Sequence, residues 1–176
     1  MSEPRGRQVL GTGGYLRLVV DRGWEYAERT RGLEAVAVIA VTTSDELILT
    51  EQFRIPIGRK VIDLPAGLVG DEGEEDLVPA ARRELEEETG YRARTLRRVF
   101  TGPTSAGLSN ELVNFLLASG VRKVSGGGGI AGENITVHLV PVDGALRWLE
   151  RYGRRRGTVS PNVYAALAIL MQQRRR

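Results

Sequence analysis

The stretch from Pro79 to Gly90, PAARRELEEETG, constrains the chain more than any other. Its pattern predicts a helix over roughly 76–89, ended by Gly90, a residue that takes the left-handed conformation after a helix at no steric cost. At about 100° per residue, Leu77, Val78, Ala80, Ala81 and Leu85 form an apolar stripe that another layer must cover. Glu84 and Glu88 fall inside that stripe, one turn apart. Glu87 lies at its edge, with Arg83 at i, i+4 spacing, and Glu86 points to the far side. A solvated acidic helix places its carboxylates opposite its apolar face. Here two like charges turn inward, where they repel each other and lose hydration. A divalent cation is the natural compensation, because Mg²⁺ takes carboxylate oxygens and keeps positions for water and phosphate. A surface helix laced with Glu–Arg pairs does not explain where Glu84 and Glu88 fall.

Around this helix the chain reads mainly as strands. YLRLVVDRGWEYAERT predicts an N-terminal β-hairpin turning at Asp21-Arg22-Gly23. EAVAVIAVTTSDELILTEQF predicts two strands about a turn at Ser44-Asp45, and RKVIDLPAGLV another strand stopped by Pro65. TLRRVFTG and ELVNFLLASG are strands joined by the loop PTSAGLSN, and ITVHLVPV is a further strand. VSGGGGIAGEN has five glycines in eleven residues and is expected to be a flexible loop. Asp143 is a candidate cap for a helix over roughly 144–152. Ser160 and Pro161 are the expected start of a last helix with Val163, Ala166, Leu167, Leu170 and Met171 on one face. Strands, helix, strands, helices is the order of an α+β fold with a mixed sheet packed by helices, not of a regular βαβ repeat.

Composition narrows the function classes. The 176 residues suit one domain with a real core, and 41% hydrophobic residues is an ordinary globular value. With no cysteine, a disulfide framework and a cysteine-rich metal site are excluded. The first residues carry no apolar run of signal-peptide length, and no segment is apolar for long enough to span a bilayer, so a soluble, cytoplasmic protein is expected. The net charge is +3, with arginine triplets at 154–156 and 174–176. These are read as a solvated loop and a basic tail rather than as a nucleic-acid surface.

GLVGDEGEEDLVPAARRELEEETGY resembles the Nudix box, the loop–helix–loop signature of Nudix hydrolases. Arg83, Glu84, Leu85, Glu87, Glu88 and Gly90 match the pattern, Tyr91 stands at its last apolar position, and Glu75 keeps the spacing before Arg83. Gly67 begins the box, but seven residues separate it from Glu75 where the family pattern has five, so the loop carries a two-residue insertion. The resemblance implies a Nudix fold, an α/β/α sandwich with a mixed sheet between helices. It divides the chain into N-terminal strands over 1–32, a dimerisation hairpin, and a hydrolase domain over 33–176. It implies cleavage of a nucleoside diphosphate linked to another moiety. Mg²⁺, or Mn²⁺, would be held by Glu84 and Glu88, with Glu87 as a further ligand or water-holder and the Ala66 carbonyl reaching a metal. Arg83 would orient Glu75 or Glu87.

Outside the box, EQFRIPIGRKVIDLPAG is similar to the corresponding segment of ADP-ribose and nucleoside-diphosphate-sugar pyrophosphatases, and Arg54 matches their diphosphate-contacting arginine. A planar guanidinium suits that role. GPTSAGLSNE falls where that subfamily has a Ser-Pro-Gly loop and an acidic residue. Ser105, Gly107, Ser109 and Glu111 keep parts of it, while Ala106 replaces the proline. Trp24 and Tyr26 alternate on one strand face, where rings could stack on a nucleobase or pack in a dimer. Glu133, after the glycine run, is the expected general base on a closing loop. The single histidine, His138, falls in a strand and reads as structural. The expected substrate is a small nucleotide sugar, and the expected assembly a homodimer. The alternatives are a Nudix hydrolase of dinucleoside polyphosphates, coenzyme A or capped RNA, and a silent nucleotide-sugar sensor, which the complete set Glu84, Glu87, Glu88 disfavours.

Overall fold

The computed structural model describes residues 6–31, 34–70, 75–129 and 133–174. In chain order the elements are β1 (Gln8–Thr12), β2 (Leu16–Asp21), β3 (Trp24–Arg29), β4 (Glu34–Ile39), β5 (Glu46–Arg54), β6 (Arg59–Asp63) and β7 (Ala66–Leu68). Then follow helix α1 (Leu77–Thr89), β8 (Tyr91–Arg92), β9 (Thr95–Pro103), β10 (Leu112–Ser119), β11 (Arg122–Lys123), β12 (Thr136–Pro141), α2 (Ala145–Arg155), β13 (Thr158–Val159) and α3 (Pro161–Arg174). The expected hairpin is β2–β3, turning at Arg22 and Gly23, and β1 extends it to three strands.

Two four-stranded mixed sheets make the body, in the orders β7-β4-β10-β9 and β12-β5-β6-β13. Their parallel pairings are β4 with β10 and β6 with β13. The strands β4 and β5, one central strand of each sheet, are apolar on both faces, as strands covered by helices on two sides must be. Alternate residues sort between two cores. Val36, Val38, Ala40 and Ile48 pack with Ala80, Ala81 and Leu85 of α1. Ala37, Ile39, Leu47 and Leu49 pack with Leu149 of α2 and Val163, Ala166 and Leu167 of α3. The sheets therefore lie between α1 and the α2–α3 pair, the expected α/β/α sandwich. Among the described residues no helix is long and apolar enough to cross a membrane.

Three local expectations are corrected. Asp143 does not cap α2. Gly144 holds the cap position without a side-chain bond, and the Asp143 carboxylate accepts from Arg174 Nη1 at 2.7 Å instead. Val78 and Met171, placed on apolar faces by the helical wheel, are exposed, because the covering layer is narrower than the stripe. The glycine run, over the part described, is a docked strap rather than a flexible loop. Gly128 N–H donates to the Glu88 carbonyl at 2.8 Å and Gly129 N–H to the Glu87 carbonyl at 2.9 Å. Val124 and Ser125 donate to the Gly90 carbonyl, and Lys123 Nζ donates to that of Thr89 at 2.7 Å. These bonds satisfy carbonyls that the end of a helix leaves without partners. Glycine is needed here for approach. Gly127 has φ +68°, and a Cβ on it would collide with the Thr89 backbone. Ile130, Ala131 and Gly132 lie outside the described residues.

The strap yields a prediction. Gly127→Ala should lose on the order of 1–3 kcal/mol of stability from strain at positive φ alone, read as a lowered urea midpoint. Gly126→Ala meets open space and should change it little. Equal midpoints for the two variants would contradict the docked strap.

Candidate active site

The site is built where α1 crosses β7. The two inward carboxylates of α1 are buried as the wheel requires, with Glu84 8% and Glu88 7% exposed. The Glu84 carboxylate lies directly on Gly67, where any Cβ would overlap its oxygens. This gives the box glycine a physical reason, since only a residue without a side chain lets β7 pass under Glu84. One residue earlier, Ala66 N–H donates to Glu88 Oε2 at 3.0 Å. Taking an ion out of water costs several kcal/mol even after relaxation, whereas burying a Leu85-sized side chain returns only about 1.5–3 kcal/mol. Two buried carboxylates are therefore not there to hold the helix down.

Arg83 organises the outer side of the pair. One guanidinium nitrogen, Nη1, donates to Glu84 Oε1 at 2.8 Å and to Glu87 Oε2 at 3.2 Å. The other, Nη2, reaches Glu75 Oε2 at 3.2 Å and the Leu68 carbonyl at 3.3 Å. The two glutamates expected as alternatives for Arg83 are thus both its partners. Burial works against the arginine's charge, but Glu75, Glu84 and Glu87 more than offset it and raise its pKa. Arg83 neutralises Glu84 and pins the box loop to the helix. Residues 71–74, which hold most of the loop with its insertion, lie outside the described residues.

Among the described residues Glu88 has no such partner cation. Its carboxyl is pushed up to about 8, first by burial and then by the nearby charges of Glu84 and Glu133, while the Ala66 N–H and Arg54 act in the other direction. Glu133, from the segment after the strap, and Arg54, from the end of β5, both reach Glu88 electrostatically. Glu133 is held in place by Gln52 Nε2, which donates to its carbonyl at 3.2 Å, and its side chain lies against Gly129. Arg54 also acts on Asp63, a carboxyl that burial pushes up and that accepts from Leu64 N–H at 2.8 Å. Gln52 and Asp63 were missed in the sequence. Gln52 could have been found from the alternation of β5, which turns it to the α1 side next to Ile48.

The remaining expected residues form a second group. Ala27 N–H donates to the Leu108 carbonyl at 2.8 Å, docking β3 on the loop between β9 and β10. Trp24 and Tyr26 meet Ala106, Gly107, Ser109 and Asn110 around a cleft of about 180 Å³. Ser105 does not line that cleft. Its carbonyl accepts from Leu108 and Ser109 and shapes the turn. Glu111 accepts from Arg29 Nε at 2.5 Å. His138 lies in β12 beside Glu51 at 3.1 Å, on the α2 side of the sheet, as a structural histidine would.

Among the described residues no three His, Cys, Asp or Glu side chains converge as a ready metal centre. Glu84 and Glu88 nevertheless fit a hard dication as a partial set. They are two buried carboxylate groups beside a main-chain strand, and among the described residues Glu88 lacks a cation within reach of a salt bridge. Waters and phosphate oxygens commonly complete such sets around Mg²⁺.

These features, a glycine under one glutamate, an arginine tying that glutamate to two others and a buried carboxylate pair, define a class. The NUDIX domain matches residues 33–158, and the chain belongs to the Nudix family. It is 45% identical over 84 residues to the ADP-ribose pyrophosphatase of Bacillus subtilis (strain 168), covering 48% of this chain and 44% of that protein. It is 33% identical over 117 residues to the methanol dehydrogenase activator of Bacillus methanolicus, covering 66% and 62%. It is 30% identical over 128 residues to the GDP-mannose pyrophosphatase of Escherichia coli O9:H4 (strain HS), covering 68% and 65%. The chain thus spans less than two thirds of the length of these curated relatives. The crystal structure of an ADP compounds hydrolase superposes with a TM-score of 0.71 over 98% of this chain and 96% of its own at 20% identity, which establishes the shared fold.

The raised Glu88 carboxyl makes a pH prediction. The folded chain holds a proton that the unfolded chain, titrating near 4.5, has released, so stability falls as pH rises from about 4.5 to about 8 and the penalty is complete above that. In chelator, Glu88→Gln should be more stable than wild type at pH 9, with the gap closing toward pH 5, in urea denaturation. Parallel profiles for the two proteins would show that Glu88 ionises as an ordinary carboxylate.

Proposed function

We propose that the chain hydrolyses the diphosphate bond of a nucleoside diphosphate sugar, ADP-ribose or a close relative, to a nucleoside monophosphate and a sugar phosphate. The observation that carries this reading is the buried Glu84–Glu88 pair on β7 with Glu133 and Arg54 close by. It is supported by relatives whose names are ADP-ribose pyrophosphatase and GDP-mannose pyrophosphatase.

Mg²⁺, or Mn²⁺ in its place, held by Glu84, Glu88 and the Ala66 carbonyl with Glu87 as a further ligand, would neutralise the diphosphate and make bound water more acidic. Arg83 keeps Glu84 and Glu87 oriented, and Arg54 binds diphosphate oxygens. Glu133 accepts the proton of the attacking water. Oxygen from that water bonds to one phosphorus, the bridging P–O bond breaks, and the released phosphate takes the second proton from solvent. Trp24 and Tyr26 stack on the nucleobase in the cleft beside Gly107, and Ser105 and Glu111 shape the loop that forms it.

The strands over 1–32 are assigned to a homodimer contact and 33–176 to the hydrolase domain. Val9, Leu10, Leu16 and Leu18 on the N-terminal sheet are exposed apolar residues suited to a second copy. A small-molecule substrate in the cytoplasm, not nucleic acid or a membrane, completes the reading.

The test is one assay panel at saturating Mg²⁺ and in chelator. ADP-ribose and GDP-mannose should be cleaved with higher kcat/KM than diadenosine polyphosphates, and chelator should abolish turnover. Glu133→Gln should lower kcat by about 10²–10⁴-fold, the usual contribution of a general base, while the Mg²⁺ concentration for half-activation stays near that of wild type. Preference for dinucleoside polyphosphates contradicts the substrate, and wild-type kcat in Glu133→Gln contradicts the base.

A further inference from the structure

β5 shows two faces to two different places. Gln52 faces the α1 side, where it holds Glu133. Glu51 faces the other, with Leu47 and Leu49, toward α2. On that second face, remote from Glu88, lies a cavity of about 450 Å³ lined by His138, Trp148, Arg151, Tyr152, Arg155 and Arg156. None of these residues takes part in the hydrolysis proposed above.

Its walls are of two kinds. One is aromatic. Trp148 and Tyr152, one turn apart on α2, stack with centroids 5.5 Å apart and planes 14° from parallel, and the His138 ring meets Trp148 at 5.3 Å in a tilted contact. The other is cationic. Arg151, Arg155 and Arg156 line the cavity, and among the described residues none of the three forms a salt bridge. Basic residues in the last turn of a helix complement its dipole, which accounts for Arg155 in α2. It does not account for a cavity beneath them with an aromatic wall.

The floor is polar and prearranged. The Glu51 carboxylate is buried and already satisfied, by Lys60 Nζ at 2.6 Å and His138 Nε2 at 3.1 Å. The Tyr152 hydroxyl is buried beside it and directed at the same carboxylate. Burial, its hydrogen bond to Glu51 and the Glu51 charge raise its pKa, so it stays protonated and fixes the ring that walls the cavity. Gly157 leaves room for that hydroxyl, since a Cβ there would meet it and the Lys60 backbone. Three guanidinium groups without a salt bridge among the described residues, on a cavity walled by stacked rings, call for an anionic ligand with a flat body. Guanidinium groups pair with phosphate oxygens in a planar fork, and stacked rings accept a planar heterocycle.

We propose that this cavity is a second, non-catalytic binding site for a nucleoside monophosphate, with the phosphate on Arg151, Arg155 and Arg156 and the base against Trp148 and His138. The site goes beyond the hydrolytic reading and does not depend on it, because it shares no residue with α1 or β7.

The chain has two tryptophans, so Trp24→Phe leaves Trp148 as the sole indole reporter. In that background, with chelator present, titration with AMP should give a saturable change in Trp148 fluorescence. The pair Arg151→Gln and Arg155→Gln should weaken AMP binding by about tenfold or more, as expected for loss of charge-assisted contacts. Arg156→Gln alone, read separately, should weaken it in the same direction. Adenosine and inorganic phosphate should each bind at least about tenfold more weakly than AMP, because each offers one half of the ligand. No saturable change, equal AMP affinity in the arginine variants, or a fragment that binds as tightly as AMP would each overturn the site. Loss of hydrolytic activity has no bearing on this readout, and failure of the site leaves the hydrolytic proposal untouched.

Discussion

A carboxylate turned into an apolar layer must be compensated, and the placement of Glu84 and Glu88 against β7 is the constraint on which the rest of the site depends. Glu84 demands a glycine at position 67, because its oxygens occupy the space of a Cβ. It also demands a cation, and Arg83 supplies one while gathering Glu75 and Glu87. Glu88 receives a single backbone N–H from Ala66 and is left with the charges of Glu84 and Glu133 against it. The site is therefore balanced on one side and unbalanced on the other, and the unbalanced side faces the groups that would meet a diphosphate.

The end of α1 carries the same tension along the chain. Carboxylates in the last turn of a helix oppose the dipole, and α1 has no basic residue there. Compensation comes from outside the helix, from N–H groups of the strap and from Lys123 Nζ. By closing on the helix end, the strap also leads the chain to Glu133, which Gln52 fixes from β5. One device thus satisfies the helix carbonyls and brings a third carboxylate toward the pair. The cost is conformational, borne by glycines at positive φ.

Much of this was legible in the sequence because it rests on local periodicity. The position of Glu84 and Glu88 on the wheel, the stop at Gly90, the hairpin at Arg22-Gly23 and the strands on either side of Ser44-Asp45 are all patterns within a few residues of each other. What could not be read depends on contacts between distant segments. The glycines at 126–129 are compositionally a flexible linker, and only the approach of the helix end turns them into a strap. Asp143 looks like a helix cap until Arg174, thirty-one residues on, takes its carboxylate. The wheel gives the direction of Val78 and Met171 but not the width of the layer that covers them. Glu111 matches the acidic residue of a substrate loop in the sequence, and its ion pair with Arg29 is invisible there because Arg29 lies in the hairpin. The cavity under α2 is likewise assembled from β12 and α2, and its only sequence trace, Arg154–Arg156, is the kind of charge run that is usually solvated.

The central claim is that the α1 carboxylate pair on β7 is a divalent-cation site, and it is tested most directly without any nucleotide. Mn²⁺ binding can be followed by the loss of its free-ion electron paramagnetic resonance signal above pH 8, where Glu88 is ionised. The account predicts saturable binding to the wild-type chain that weakens by at least about tenfold when Glu84 and Glu88 are both replaced by Gln, since the amides keep the shape and lose the charge. Equal Mn²⁺ affinity in the two proteins would place the cation elsewhere and contradict the account.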